Sequence, residues 1–173
     1  MLLVFIIVVI VILAFFILSV SKNKLTLSNE YPYQKAKTLF SPAERSFLGV
    51  LDQVVGSEFR VFGKVRIADV ATVRTMSNRS AWQKAFNRIS SKHFDFIVCN
   101  SSDLSIVCAV ELNDKSHQKN TRKLRDEFVI GVCNAISLPL VEVNAQTAYS
   151  IQELKERFSA VLNVVSSNVE KIP

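Results

Sequence analysis

The sequence predicts a mixed α/β domain preceded by one transmembrane helix. Residues 2–20 hold no charge, and an alternation of helical and strand-like periodicity begins at Phe40. The order of predicted elements from Phe40 onward is α-β-(α)-β-β-α-β-α. Two acids, Asp95 and Glu111, interrupt otherwise hydrophobic strand segments. These three observations set the fold class and direct attention to one end of the predicted sheet.

The N-terminal segment has the length and composition of a membrane span. Its only polar side chain is Ser19, and about 20 apolar residues cross a bilayer core as a helix. A cleaved signal peptide is the alternative, but the run lacks a basic n-region and no A-x-A site follows it. We therefore expect residues 1–21 to be a single-pass transmembrane helix and residues 22–39 to be a basic juxtamembrane linker.

Lysines follow the apolar run directly, at Lys22, Lys24, Lys35 and Lys37. By the positive-inside rule they place the C-terminal domain in the cytoplasm and the N-terminus outside. With Glu30 they give residues 22–39 a net charge of +3, half of the formal +6, and attraction to anionic lipid headgroups explains them. The charge left for the domain is too small to establish nucleic-acid binding by itself.

The domain is predicted to span residues 40–164, with residues 165–173 as a tail. Ser41-Pro42-Ala43-Glu44 is typical of a helix start with a capping box, and Gly56 is expected to end that helix. A strand follows from Phe59 to Ile67, and Ser80 is expected to cap a short helix. The later elements are predicted as strands at about 94–99 and 105–113, a helix at 117–136, a strand at 140–143 and a helix at 150–164.

Cysteine and histidine usage narrows the chemistry. The chain has 173 residues, three cysteines without C-x-x-C spacing and only two histidines. We expect Cys99, Cys108 and Cys133 to be buried free thiols. A zinc site is disfavoured because too few soft or imidazole ligands are present.

Asp95 and Glu111 are the candidate metal ligands. A carboxylate among β-branched and aromatic residues is costly to bury unless it has a partner or a use. Neighbouring strands lie about 4.8 Å apart, so two carboxylates on them can reach one Mg²⁺ or Mn²⁺ ion. The structural alternative is an edge charge, or an ion pair with Arg122 or Arg125.

Four blocks in order, KHFDFIVC, AVELNDKSH, RKLRDEF and LPLVEV, resemble the restriction-endonuclease-like fold of the PD-(D/E)XK nuclease superfamily. The closest resemblance is to a bacterial family of unknown function whose members often carry an N-terminal membrane helix, and it covers residues 31–158. The resemblance implies a mixed central sheet flanked by helices, a Mg²⁺ site at one end and an inner-membrane location.

The resemblance also implies residue roles. Asp95 and Glu111 would hold the metal and act in catalysis, with the backbone carbonyl of Leu112 as a further ligand. Asn113 stands where the superfamily has lysine, and Lys115 is the nearest lysine. His117 is either a proton carrier or a helix N-terminal residue without a chemical role.

Glu44 and the basic residues each have two interpretations. Glu44 either only caps its helix or also assists metal binding. The cluster Lys119, Arg122, Lys123 and Arg125 is either a solvated helix face or a set of phosphate contacts, and Lys84, Arg88 and Lys92 form a weaker set. Two functions stay open. One is a membrane-anchored nuclease acting on DNA or RNA at the cytoplasmic face. The other is a non-catalytic nuclease-like domain that binds nucleic acid or a protein partner.

Overall fold

The computed structural model describes residues 9–16, 31–113 and 119–169, with side chains described outside 119–123 and 163–169. The chain divides into two units, Met1–Lys37 and Thr38–Pro173. In the first unit, residues 9–16 are helical and 31–37 have no regular secondary structure. Within the described ranges, no helix has the length and apolar character needed to cross a bilayer. The rest of the predicted 2–20 span lies outside the described residues.

The second unit is built on a four-stranded mixed sheet in the order β1-β2-β3-β4. The strands are β1 (Phe59–Arg66), β2 (His93–Asn100), β3 (Ile106–Asn113) and β4 (Leu140–Asn144). The pairs β1/β2 and β2/β3 are antiparallel, whereas β3 and β4 are parallel. The predicted mixed α/β architecture is thereby confirmed.

Five helices accompany the sheet in the described part of this unit: α1 (Pro42–Val55), α2 (Ile67–Val70), α3 (Arg79–Ser90), α4 (Lys119–Ala135) and α5 (Ile151–Val169). The predicted capping box of α1 is present. Two local predictions were wrong. Ile67 begins α2 instead of ending β1. The cap of α3 is Asn78, not Ser80, because the Asn78 side chain accepts the N–H of Ala81 at 3.1 Å.

Buried side chains form two hydrophobic cores. The α1/α5 core joins helices α1 and α5 to the sheet through Phe47, Leu51, Phe96, Val98, Val110, Val141, Leu154 and Phe158. The α2–α4 core joins the other three helices to the sheet through Ile67, Ile89, Phe94, Ile97, Cys99, Ala109, Val129 and Cys133. All three cysteines are buried and free, as predicted.

Strand β1 changes the core that it faces near its middle. Val61 packs against the α1/α5 core and Val65 against the α2–α4 core, although residues four apart in a regular strand share a face. Between them Lys64 has a left-handed backbone, with φ of 57°. The preceding Gly63 lies under the ring of Phe40, and a Cβ at Gly63 would be 2.2 Å from that ring. This close approach requires glycine at position 63.

Gly63→Ala is expected to destabilise the protein by about 1–3 kcal/mol, because the added methyl forces Phe40 out of its place. Phe40 stacks on buried Phe96 with ring centroids 5.7 Å apart, so the movement would disturb the core. The matched control is Gly49→Ala on α1, where a Cβ meets no atom within 4 Å. It should stabilise the helix by about 0.5–1 kcal/mol. Equal unfolding midpoints for the two variants in chemical denaturation would refute the packing account.

Candidate metal centre

Asp95 and Glu111 lie opposite each other on neighbouring strands. The β2/β3 register pairs Phe96 with Val110, which places Asp95 and Glu111 one step further along. Directly opposed residues of an antiparallel pair point to the same face of the sheet. Each acid is only 7% exposed. The sequence-based expectation that two carboxylates converge here therefore has the required backbone geometry.

The carboxylate of Asp95 is held by the backbone of β3. Its Oδ2 accepts the N–H of Leu112 at 2.9 Å. Its Oδ1 lies 4.0 Å from the Nζ of Lys64. Leu112 thus contributes to the site through its N–H group, while a role for its carbonyl as a metal ligand stays a prediction.

Glu111 is only half satisfied. Its Oε2 accepts a hydrogen bond from the Arg125 guanidinium at 3.3 Å, so the structural ion pair considered from the sequence is present. Its Oε1 is fully buried and has no hydrogen-bond partner among the residues that the structure describes. Most buried polar atoms in native proteins are paired, and an exception calls for an explanation such as an ion.

The environment of Glu111 opposes its negative charge. Burial and, next, the charge of Asp95 raise the pKa of Glu111 to about 8, against a smaller opposing effect of Arg125. Without a cation, Glu111 is therefore mainly protonated at neutral pH. A divalent cation would reverse this preference, because it favours ionised oxygen ligands.

The donor set fits a hard cation. Oxygen atoms of Asp95 and Glu111 suit Mg²⁺ or Mn²⁺, and the unpartnered Oε1 leaves a ligand position free. Within the described ranges, no group of three or more His, Cys, Asp and Glu residues is arranged to hold a metal. Binding by the pair would therefore leave several positions on the ion to water or substrate, as is usual for Mg²⁺.

Glu44 has a partner besides its capping role. Its Oε2 accepts the Ser41 N–H at 2.8 Å, and Lys64 donates to its Oε1. Burial opposes ionisation of Glu44, but the hydrogen bonds from Lys64 and Ser41 outweigh it and lower its pKa. Glu44 is therefore connected to Asp95 through Lys64, and its assistance in metal binding stays a prediction.

Asn113 is occupied by a neighbour on β4. Its Nδ2 donates to Glu142 Oε1 at 3.1 Å. Lys115 and His117 lie outside the described residues. The side chains of Lys119, Arg122 and Lys123 also lie outside the described part of the chain. Of the predicted basic cluster, Arg125 is the described residue that contacts the site, through Glu111.

Sequence reasoning missed Lys64 as a site residue. Lys64 is followed by the apolar Val65, and this alternation of polar and apolar residues is typical of a strand whose polar side chains face solvent. The available signal was Gly63, because glycine inside a strand often marks a bend or a close approach.

The fold and the acidic pair define a mixed α/β domain with two opposed, buried carboxylates on the two central strands of its sheet. The chain matches the family described as "Protein of unknown function (DUF2726)" over residues 36–162, and it belongs to that family. The comparison with curated proteins gives no match, and neither does the comparison with solved structures.

Glu111→Gln should stabilise the metal-free protein at neutral pH. The folded-state pKa of Glu111 is raised to about 8, so keeping it charged above its unfolded value of about 4.5 is unfavourable. The penalty is absent below pH 4.5 and grows as the pH rises toward 8. We expect a gain of about 1–3 kcal/mol at pH 7.5 and none at pH 4, measured by denaturant unfolding with a chelator present.

The control for this measurement is Glu58→Gln, since Glu58 is exposed. It should change stability little at either pH. A Glu111→Gln variant that is less stable than the parent at pH 7.5 would show that the contact with Arg125 outweighs the burial of charge.

Proposed function

We propose that this chain is a metal-dependent nuclease that hydrolyses phosphodiester bonds in DNA or RNA. One observation carries the proposal: a fully buried oxygen of Glu111, which has no partner within the described part of the chain, belongs to a strand position directly opposite the second buried acid, Asp95. A purely structural pair would have both oxygens satisfied or an apolar replacement. The resemblance of the acid-bearing blocks to the PD-(D/E)XK nucleases supports the same chemistry.

The ion proposed for the site is Mg²⁺ or Mn²⁺. Asp95 and Glu111 would hold it, with the Leu112 carbonyl as a further ligand. When bound, such an ion neutralises charge at phosphorus and lowers the pKa of a coordinated water. The chain itself fixes Asp95 through the Leu112 N–H, and it fixes one oxygen of Glu111 through Arg125. These contacts preorganise the carboxylates, which reduces the cost of ordering them around an ion.

A basic stretch of the sequence that includes Lys64, which lies 4.0 Å from Asp95, supports a polyanionic substrate. Residues 64–93 contain seven basic residues against one acid, Asp69; the basic residues are Lys64, Arg66, Arg74, Arg79, Lys84, Arg88 and Lys92. The Arg88 guanidinium and the Lys92 ammonium lie 4.4 and 5.1 Å from the centroid of the Phe128 ring. Phe128 is about one helical turn from Arg125 on α4, and Arg125 itself contacts Glu111. Phosphate contacts of this kind supply sequence-independent affinity.

Asp95→Asn and Glu111→Gln should each abolish metal binding and cleavage. With two carboxylates, we expect the full-length chain to bind Mn²⁺ with Kd on the order of 10⁻⁴–10⁻³ M. Titration calorimetry and a gel assay on single- and double-stranded DNA and RNA measure the two effects. Glu58→Gln is the control and should match the parent. Unchanged Mn²⁺ binding in both site variants would place the metal elsewhere.

A second function, a non-catalytic nuclease-like domain that binds nucleic acid or a protein partner, is favoured by one observation. Asn113 is neutral, and its amide is bonded to Glu142. An amide is a poor base and adds no charge for a cation. In this alternative the basic residues would still bind phosphates, including Lys119, Arg122 and Lys123 if the partner is nucleic acid.

Asn113→Asp distinguishes the two functions. The change adds a carboxylate two residues from Glu111 on the same face of β3, and Glu142→Gln is combined with it so that two acids do not repel each other. We expect Mn²⁺ affinity to rise about three- to tenfold, with faster cleavage if the parent is a nuclease. Glu142→Gln alone is the control. Tighter metal binding without any cleavage, in parent and variant alike, would favour the binding module.

We also propose that the chain is anchored in the bacterial inner membrane by residues 2–20, with its domain in the cytoplasm. The support is the uncharged run followed by lysines. A fluorescent protein that folds only in the cytoplasm, fused after Pro173, should therefore fluoresce in the membrane fraction. Activity of a periplasmic phosphatase fused at the same place, or a mature chain beginning near Lys22, would contradict this topology.

A further inference from the structure

Lys64 lies where two strands change the core that they face. On β2, Phe94 belongs to the α2–α4 core and Phe96 to the α1/α5 core, although alternate residues of a regular strand share a face. Asp95 is the residue between them. The β1/β2 register pairs Gly63 with Phe96 and Val65 with Phe94, which places Lys64 opposite Asp95. The irregularities of the two strands therefore coincide at this pair.

The backbone of Lys64 is unfavourable for its residue type. A left-handed φ of 57° brings Cβ close to the backbone, and residues other than glycine adopt it rarely. Such conformations persist where the surroundings enforce them, and they are frequent at functional sites. The residue before Lys64, Gly63, packs closely under Phe40.

The ammonium of Lys64 is held by one acid and lies farther from a second. Its ammonium donates to Glu44, which is itself held by the capping box of α1. Asp95 Oδ1, at 4.0 Å, is too distant for a hydrogen bond. An ammonium has three donors. Within the described part of the chain, Lys64 uses one of them, in its hydrogen bond to Glu44. Donors are thus left for a ligand beside Asp95.

We propose that Lys64 is a catalytic residue whose ammonium donates a hydrogen bond to a phosphoryl oxygen of a phosphodiester bound at the Asp95–Glu111 pair. This inference rests on the proposed nuclease function and assigns to β1 the cation that Asn113 does not provide on β3. Glu44 is the positioning residue, because it accepts a hydrogen bond from the ammonium.

Lys64 contributes charge and takes no net proton in the reaction. The oxygen of water forms a bond to phosphorus, the ester P–O bond breaks, and the leaving oxygen receives a proton derived from the attacking water through solvent. Negative charge grows on the phosphoryl oxygens during the attack. A fixed ammonium in a partly buried position, with its side chain 25% exposed, stabilises that charge more than a solvated one.

The test compares Lys64→Met and Lys64→Arg in the full-length protein with Arg60→Met, which removes an exposed cation from the same strand. Three quantities are measured: Mn²⁺ affinity by calorimetry, Mn²⁺-dependent affinity for a phosphorothioate 12-mer, and the single-turnover cleavage rate at saturating Mn²⁺. For Lys64→Met we expect Mn²⁺ binding about fivefold tighter, because a repelling charge is gone. Oligonucleotide binding should weaken about tenfold and cleavage about 100-fold.

Lys64→Arg should recover part of the oligonucleotide affinity, and Arg60→Met should match the parent in all three quantities apart from a small salt-dependent loss of oligonucleotide affinity. If Lys64→Met unfolds, the double variant Lys64→Met/Glu44→Gln takes its place in every assay. The second change removes the acid that Lys64→Met leaves without its partner. Oligonucleotide binding and cleavage like those of Arg60→Met would overturn the role of Lys64 while leaving the nuclease proposal intact. A parent that cleaves nothing overturns the nuclease proposal, and the two binding measurements then decide whether Lys64 contacts phosphate.

Discussion

The opposition of Asp95 and Glu111 across β2 and β3 is the constraint on which the site depends. The strand register brings the acids together, and burial denies Glu111 the solvation that its charge needs. The N–H of Leu112 and the guanidinium of Arg125 offset part of this cost. Among the described residues Oε1 has no partner, so the compensation there is incomplete, and the proposed divalent cation would complete it.

The surroundings of the acid pair come from three elements, α1, β1 and α4. The capping box fixes the first turn of α1, and Glu44 in that turn holds Lys64 of β1. On the other side, α4 supplies Arg125. The acids themselves come from the two central strands. A site assembled from separate elements in this way is preorganised by the whole fold, so its carboxylates need little reordering to bind an ion. The burial of Glu111 lowers the stability of the fold, and such a loss of stability is common at functional sites.

Much of the fold could be predicted because it depends on short-range sequence patterns. Ser41 and Glu44 specify the start of α1, and the short turn between Asp95 and Glu111 makes their strands neighbours. The boundary at Ile67 was mispredicted because an apolar residue after alternating positions suits either a strand or a helix start. Asn78 and Ser80 are both good caps, and the sequence pattern favoured the wrong one.

The position of Lys64 beside Asp95 was not predicted. Gly63 signals only a bend or a close approach, whereas the left-handed backbone of Lys64 and the packing of Phe40 on Gly63 are features of the folded chain. The bond between Asn113 and Glu142 likewise joins strands that are distant in sequence.

The central claim is most directly tested by anomalous diffraction from crystals of the protein grown with Mn²⁺. The account predicts one strong peak between Asp95 and Glu111, with Glu111 Oε1 as a ligand. The account would be contradicted if the site were ordered but showed no anomalous peak, and if a protein group or a water molecule were paired with Oε1.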